Sequence, residues 1–217
     1  MNQNPMVNYA SIIEETSSKH FNVADQFKGN SIEENIAICE GDRLSFSVGA
    51  INVTGDLNLG IMIRTASLLG ADNFYTFGRK KYDKRSTVGA HNYINMVQYP
   101  YDNPLDCGEE LLRDLTKLQE RHMIIVCEQN GSPLHPETFS GNARTYQPWA
   151  NATRERYQEA HPLFLFGSES YGIPQPAIDM VPPVQRISIP QRGVLRSFNV
   201  STAMSIILWA YVSQVFL

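Results

Sequence analysis

The chain has 217 residues, of which 42% are hydrophobic and 18% charged, with a formal net charge of −4. This composition fits a folded chain with one substantial core and excludes a disordered polymer. It also excludes nucleic-acid binding through bulk positive charge, so any such partner must meet a local patch. Cys39, Cys107 and Cys127 show no CxxC or Cys/His spacing. That argues against a metal site and for a reducing, cytoplasmic compartment.

In chain order, residues 1–43 read as an N-terminal extension too short for its own core, with a short helix over 9–19 followed by an acidic stretch. Residues 44–217 read as one α/β domain. Residues 45–53 alternate apolar and small side chains, as a strand does. Asp56 is placed to cap a helix over 57–69, and Gly70 to end it. Strands follow at 73–77 and 93–99. Leu111, Leu112, Leu115 and Leu118 give helical spacing over 106–121. Further strands are expected at 122–127, 163–166 and 184–189. Residues 130–161 are loop-rich, with one helix near 149–160. The last run, 198–217, holds Asn199, Ser201, Thr202, Ser205, Ser213 and Gln214. It is too polar to span a membrane and is expected to be a buried or dimer-facing helix. Strands alternating with helices predict a mostly parallel sheet covered on both faces, with ligands beyond the carboxyl ends of its strands.

Three segments after predicted strands carry unusual residues. The first is Asn58-Leu-Gly60-Ile-Met-Ile-Arg64-Thr65. On a helix Arg64 lies one turn beyond the unobstructing Gly60 and leans back towards exposed backbone N–H groups, which suits a phosphate or another anion. A surface arginine above a small packing residue would look the same. The second is Phe166-Gly167-Ser-Glu169-Ser-Tyr-Gly172, two glycines bracketing a carboxylate. It suits close approach of a ligand, or an ordinary strand-to-helix turn; it is neither a P-loop nor GxGxxG. The third runs Ile187-Ser-Ile189-Pro190-Gln-Arg-Gly193-Val-Leu-Arg-Ser197-Phe-Asn199-Val-Ser201. A strand ends at proline, crosses a glycine loop and enters a helix through two good capping residues. Capping accounts for Ser197 or Asn199, but hardly for both.

Taken in this order, the three segments resemble the SpoU/TrmH family of the SPOUT methyltransferase superfamily. That family shows Asn-x-Gly-x-x-x-Arg, Gly-x-Glu-x-x-Gly, and Ile-Pro followed by a glycine loop and Ser-x-Asn-Val-Ser. The resemblance implies an α/β fold with a C-terminal trefoil knot, a homodimer pairing through the knot, and S-adenosyl-L-methionine as cofactor. It implies cofactor contacts at Cys127, Glu128, Phe166, Gly167, Ile187, Ile189, Pro190, Ser197 and Asn199. It also implies a catalytic group of Arg64, Asn58, Glu169, Ser197 and Asn199, with the arginine acting across the dimer interface. The activity expected is methylation of a ribose 2′-hydroxyl in RNA, transfer RNA ahead of ribosomal RNA. A basic cluster of Arg79, Lys80, Lys81, Lys84 and Arg85, with Tyr82 and His91 nearby, is the expected RNA surface; by itself it could also be a solvated loop. A non-catalytic dimeric RNA-binding module of the same fold, or a base methyltransferase, are the competing readings.

Overall fold

The computed structural model describes residues 22–79, 81–101, 108–136, 138–139 and 161–217. The helices expected over 9–19 and near 149–160, and residues Lys80 and Cys107, lie outside them.

The first described helix is α1 (Ile32–Gly41). Ser31 accepts from the Glu34 amide at 3.1 Å while Glu34 accepts from the Ser31 amide at 2.7 Å. This capping box satisfies two donors that the helix start leaves free. Its Ser-x-x-Glu signature lies within what reads, by charge alone, as an acidic stretch. Asn35 is the helix's one buried side chain, donating to the Phe27 carbonyl at 3.2 Å, so α1 closes on the 25–30 turn.

Six strands follow: β1 (Leu44–Ile51), β2 (Ala71–Phe77), β3 (Asn95–Tyr99), β4 (His122–Pro133), β5 (His161–Phe166) and β6 (Arg186–Ser188). All pair parallel, in the order β3-β2-β1-β5-β4-β6. Between them lie α2 (Asp56–Leu68), α3 (Lys84–Thr87), α4 (Gly108–Leu118) and α5 (Gln175–Asp179); α6 (Val200–Val215) closes the chain. Alternate side chains point to opposite faces of a strand. In β5, Phe164 and Phe166 join a core with α2 and α6, whereas Leu163 and Leu165 join a second core with α4 and α5. Both faces of the sheet are therefore covered, as the sequence pattern predicts.

Several expectations need correction. The fourth strand runs on to Pro133, with a register break between Cys127 and Ser132. The sixth is shorter than 184–189, because Pro183–Gln185 forms a 3-10 turn before it. Asp56 does not cap α2. Gly55 occupies that position, and the Asp56 carboxylate instead binds Arg79 at 2.6 Å and Lys81 at 3.4 Å. Gly70 does end the helix, with φ of +78°. Among the described residues no helix is long and apolar enough to cross a membrane.

Candidate active site

Strand order reverses between β1 and β5. From β1 the chain moves outward to β2 and β3, then crosses to the other side of the sheet. Such a switch point opens a crevice beyond the carboxyl ends of the two central strands. Thr54 and Gly55 follow β1, and Glu169 follows β5. The Glu169 carboxylate accepts from the Thr54 amide at 3.0 Å, the Thr54 hydroxyl at 3.1 Å, the Gly55 amide at 3.3 Å and the Asn58 side-chain amide at 2.7 Å. Residues more than 100 positions apart are thus tied across the switch point.

The tie continues. Asn58 Oδ1 accepts from Asn199 Nδ2 at 3.1 Å. Asn199 Oδ1 in turn caps α6, accepting from the Ser201 amide at 3.0 Å, the Ser201 hydroxyl at 2.7 Å and the Thr202 amide at 3.4 Å. The structure therefore brings three expected residues, Glu169, Asn58 and Asn199, into one chain of hydrogen bonds, one from each segment. Burial pushes the Glu169 carboxyl up, but the hydrogen bonds from Asn58, its own backbone and Thr54 outweigh it and hold it below the ordinary carboxylate value.

Backbone geometry prepares this arrangement. A Cβ on Gly55 would stand 2.9 Å from Asn58 Nδ2 and 3.0 Å from Glu169 Oε1. A Cβ on Gly167 would collide with the carbonyl of Gly172. Ser168 and Gly172 exchange backbone hydrogen bonds at 3.1 and 2.9 Å, closing the turn that carries Glu169. Gly172 itself has φ of +68°, a conformation that favours glycine.

Beside this chain the ends of β5 and β6 line up with the register break in β4. Cys127 of β4 sits opposite both Phe166 of β5 and Ile187 of β6. Glu128 and Gly167 are one residue further along. Ile187 pairs with Ser132 as well as Cys127, so residues 128–131 leave the ladder as a loop over that edge. Gly131 permits this, since a Cβ there would meet the Ile187 backbone. Cys127 and Ile189 are half-buried against the core, and burial pushes the Cys127 thiol well up. Pro190 and residues 191–199 are exposed. Ser197 makes no hydrogen bond among the described residues, which settles the capping question: Asn199 caps α6 and Ser197 is free.

Arg64 is exposed and makes no ion pair among the described residues. It does not sit beside the first N–H groups of α2. Eight residues separate it from Asp56, roughly 12 Å along the helix axis. The anion at that helix start is the chain's own Glu169. Nor is Gly60 an open path for the arginine, because Ser86 fills the space above it.

The basic loop differs most from expectation. Arg79 and Lys81 are held by Asp56, and Arg85 is held by Asp83 through a fork with contacts of 2.8 to 3.2 Å. The side-chain hydrogen bond from Arg79 keeps the Asp56 carboxyl below its ordinary value. Lys84 carries no ion pair among the described residues. His91 Nδ1 lies 2.8 Å from the Thr87 hydroxyl, and burial followed by the Lys84 charge lowers its proton affinity. Sequence reasoning missed Thr54 and Gly55, whose hydroxyl and amides fix Glu169.

The SpoU rRNA Methylase family model matches residues 45–209. A stretch of 51 residues is 37% identical to the tRNA (cytidine(34)-2′-O)-methyltransferase of Yersinia pestis, covering 24% of this chain and 32% of that protein. Among solved structures, the A. aeolicus TrmH/SpoU tRNA modifying enzyme superposes with a TM-score of 0.57 at 20% identity, over 84% of this chain and 81% of that one. The SpoU methyltransferase AviRb from Streptomyces viridochromogenes, solved in complex with AdoMet, gives 0.55 at 22% identity, over 80% and 58%. These likenesses establish the shared fold. With the motifs assembled at one switch point and the family model spanning most of the sequence, the chain belongs to the SpoU rRNA Methylase family.

Proposed function

We propose that the chain methylates a ribose 2′-hydroxyl of structured RNA with S-adenosyl-L-methionine as donor, and that transfer RNA is favoured over ribosomal RNA. One observation carries this reading: Glu169, Asn58 and Asn199 meet at the switch point, next to the ends of β5 and β6 and the register break in β4. The Yersinia pestis relative, a tRNA 2′-O-methyltransferase, supports the choice of acceptor.

The residues present fit that cofactor. Backbone groups at Gly167, Ile189 and Pro190 lie past strand ends, Glu128 lies where the β4–β6 register breaks, and together they can hold a purine edge. The 128–131 loop and the exposed 191–199 loop border the same edge. When bound, the cofactor supplies an electrophilic methyl group on a sulfonium. Arg64, a cation and hydrogen-bond donor, orients the nucleotide phosphate and stabilises negative charge gathering on the ribose oxygen. Ser197 keeps its hydroxyl for a ligand. The hydroxyl proton leaves to RNA phosphate or water. Positioning of this kind supplies a large share of the acceleration.

The active form is a homodimer. Leu57, Ile61 and Leu68 are 59%, 41% and 74% exposed on α2, and Trp209 is 56% exposed on the neighbouring α6. At 100° per residue, Leu57, Ile61, Arg64 and Leu68 share a stripe about 60° wide. Arg64 would therefore enter the partner's site from an apolar interface. A trefoil knot is supported by contacts of Gly131 and Leu134 with β6 and of Phe139 with α6. Ser188 Oγ donates to the Gly131 carbonyl at 2.8 Å, the Leu134 amide to the Ser188 carbonyl at 2.7 Å, and the Phe139 amide to Gln214 at 2.8 Å. Residues 1–43 act as an extension of the 44–217 domain, in keeping with α1 closing on its own turn. RNA phosphates meet Lys84 and Lys80 of the basic loop together with Arg192 and Arg196 of the exposed loop. The compartment is cytoplasmic, consistent with the free thiols of Cys39 and Cys127.

The test incubates purified protein with labelled cofactor and unfractionated RNA, then maps the modified nucleoside by mass spectrometry. A 2′-O-methylated nucleoside in the transfer RNA fraction is expected. A methylated base, or no transfer to RNA, would overturn the reading.

A further inference from the structure

The direction of the hydrogen bonds through Asn58 and Asn199 is fixed from both ends. At one end stands a carboxylate that can only accept, already holding three donors from Thr54 and Gly55. Asn58 at 2.7 Å must therefore turn its NH₂ towards Glu169, leaving its oxygen for Asn199. At the other end the first donors of α6 require an acceptor from the capping residue. Asn199 must turn its oxygen to Ser201 and Thr202, and its NH₂ towards Asn58. The negative charge and the helix start demand the same polarity, so neither amide can flip without placing oxygen against oxygen.

Each amide NH₂ carries two hydrogens, and each spends one within the chain. Asn199 is exposed and Asn58 half-buried. We propose that Thr54, Glu169, Asn58 and Asn199 form a one-way amide relay that presents N–H donors, and no side-chain acceptor, to an anionic oxygen of the bound ligand. Glu169 and Thr54 are then positioning residues. Glu169 is not the proton acceptor of the reaction, because its oxygens are engaged by four donors. Thr54 holds the charge that sets both amides. Two oxygens can receive the spare N–H groups, the carboxylate of the cofactor's methionine moiety or the ribose oxygen as it becomes negative. This inference rests on the methyltransferase reading, but the thermal measurement on Asn58→Asp below does not.

The first variant, Asn199→Asp, keeps the cap, since aspartate caps as well as asparagine. It replaces the N–H facing Asn58 and the ligand with an oxygen. The cap is kept, so thermal stability should fall only by the loss of the Asn58–Asn199 bond, while ligand chemistry fails. Titration with S-adenosylhomocysteine and turnover at saturating S-adenosylmethionine on unmodified transfer RNA transcripts distinguish the two oxygens. A tenfold or greater loss of S-adenosylhomocysteine affinity assigns the donors to the methionine carboxylate. A comparable loss confined to turnover assigns them to the ribose oxygen. A variant equal to the parent in both overturns the relay, and reduces Asn199 to a cap.

The second variant, Asn58→Asp, sets two carboxyl groups at hydrogen-bond distance, where one must hold a proton. The introduced carboxyl, when it carries that proton, donates to Glu169 and accepts from Asn199, restoring the polarity. The thermal midpoint of this variant, measured against the parent, should fall as pH rises from about 5 to about 8, because the shared proton has a folded-state affinity above its unfolded one. Whichever ligand step Asn199→Asp impairs, S-adenosylhomocysteine binding or turnover, should weaken in step. A difference from the parent that does not change with pH would reject the Asn58–Glu169 link itself. If the Asn58→Asp variant shows the pH-dependent link while the parent transfers no methyl group to RNA, the proposed function is refuted and the relay's polarity stands.

Discussion

Gly60 sits inside α2, where alanine is worth roughly 0.8–1 kcal/mol more than glycine by helix propensity alone. The surroundings reverse that sign. A Cβ at Gly60 would fall on the Ser86 hydroxyl, 2.8 Å from the Asp83 carbonyl oxygen and 3.1 Å from the Ser86 Cβ. The hydroxyl cannot simply turn aside, because it donates to that same carbonyl at 2.7 Å. Losing this bond costs about 0.5–1.5 kcal/mol. Forcing an extra carbon into a close-packed contact costs roughly 1–3 kcal/mol more. After the propensity gain, Gly60→Ala should destabilise the protein by about 1–3 kcal/mol, which for a chain of this size lowers the melting temperature by roughly 3–10 °C. Urea unfolding followed by circular dichroism reads it as a lower midpoint at unchanged slope. Adding Ser86→Ala removes the worst contact, so the double variant should recover a good part of the loss, with a coupling of at least about 0.5 kcal/mol. If Gly60→Ala were as stable as the parent, or if the two changes simply added, the reading of this glycine as a helix–loop contact would be refuted.

Other outcomes follow from the site. Gly167→Ala places a carbon on the Gly172 carbonyl, backbone that cannot yield, so Glu169 should withdraw and turnover drop about a hundredfold, as misplacement by an ångström can do. Arg64→Ala should abolish turnover and leave S-adenosylhomocysteine affinity unchanged; weaker cofactor binding would contradict a role confined to the RNA. Asp56→Asn should free Arg79 and Lys81, tightening RNA binding and steepening its salt dependence in filter-binding assays; an unchanged slope would remove that loop from the RNA surface. His122 is buried, with its Nδ1–H donating to the His161 carbonyl at 3.3 Å and its Nε2 accepting from the Tyr75 hydroxyl at 3.0 Å. Burial depresses its folded-state proton affinity, so the contribution is present above about pH 6.5 and lost as pH falls through the lower folded value. His122→Gln should flatten that part of the stability–pH curve.

The sheet is legible because its central strands β1, β2 and β5 are buried along most of their length and announce themselves as apolar runs. What misled was the assignment of local partners. An acid in the first turn of a helix favours that position whether or not it caps, and Asp56 looks the same in either role. Only the loop after β2, folding back 23 residues later to bring Arg79 within 2.6 Å, decides which. The same carboxylate pairs two cations of the basic loop. In the sequence Arg79, Lys81 and Arg85 read as free charge, because the acid that neutralises the first two stands far along the chain.

The candidate catalytic group divides in the same way. Asn58, Glu169 and Asn199 are picked out by the family resemblance, whose motifs are written in side chains. Thr54 and Gly55 could not, since most of what they give Glu169 is backbone N–H, which every residue but proline carries. Their choice is written in the conformations they permit, not in the groups they supply. Gly55 is glycine because a Cβ would press on Asn58 and Glu169 together. Thr54 alone adds a hydroxyl, which makes it the one position where the sequence states the relay's anchor directly. The direction of the relay is less visible still. Asparagine has the same atoms whichever way it faces, and its orientation is imposed by a charge 111 positions away and a helix that begins at its own carbonyl.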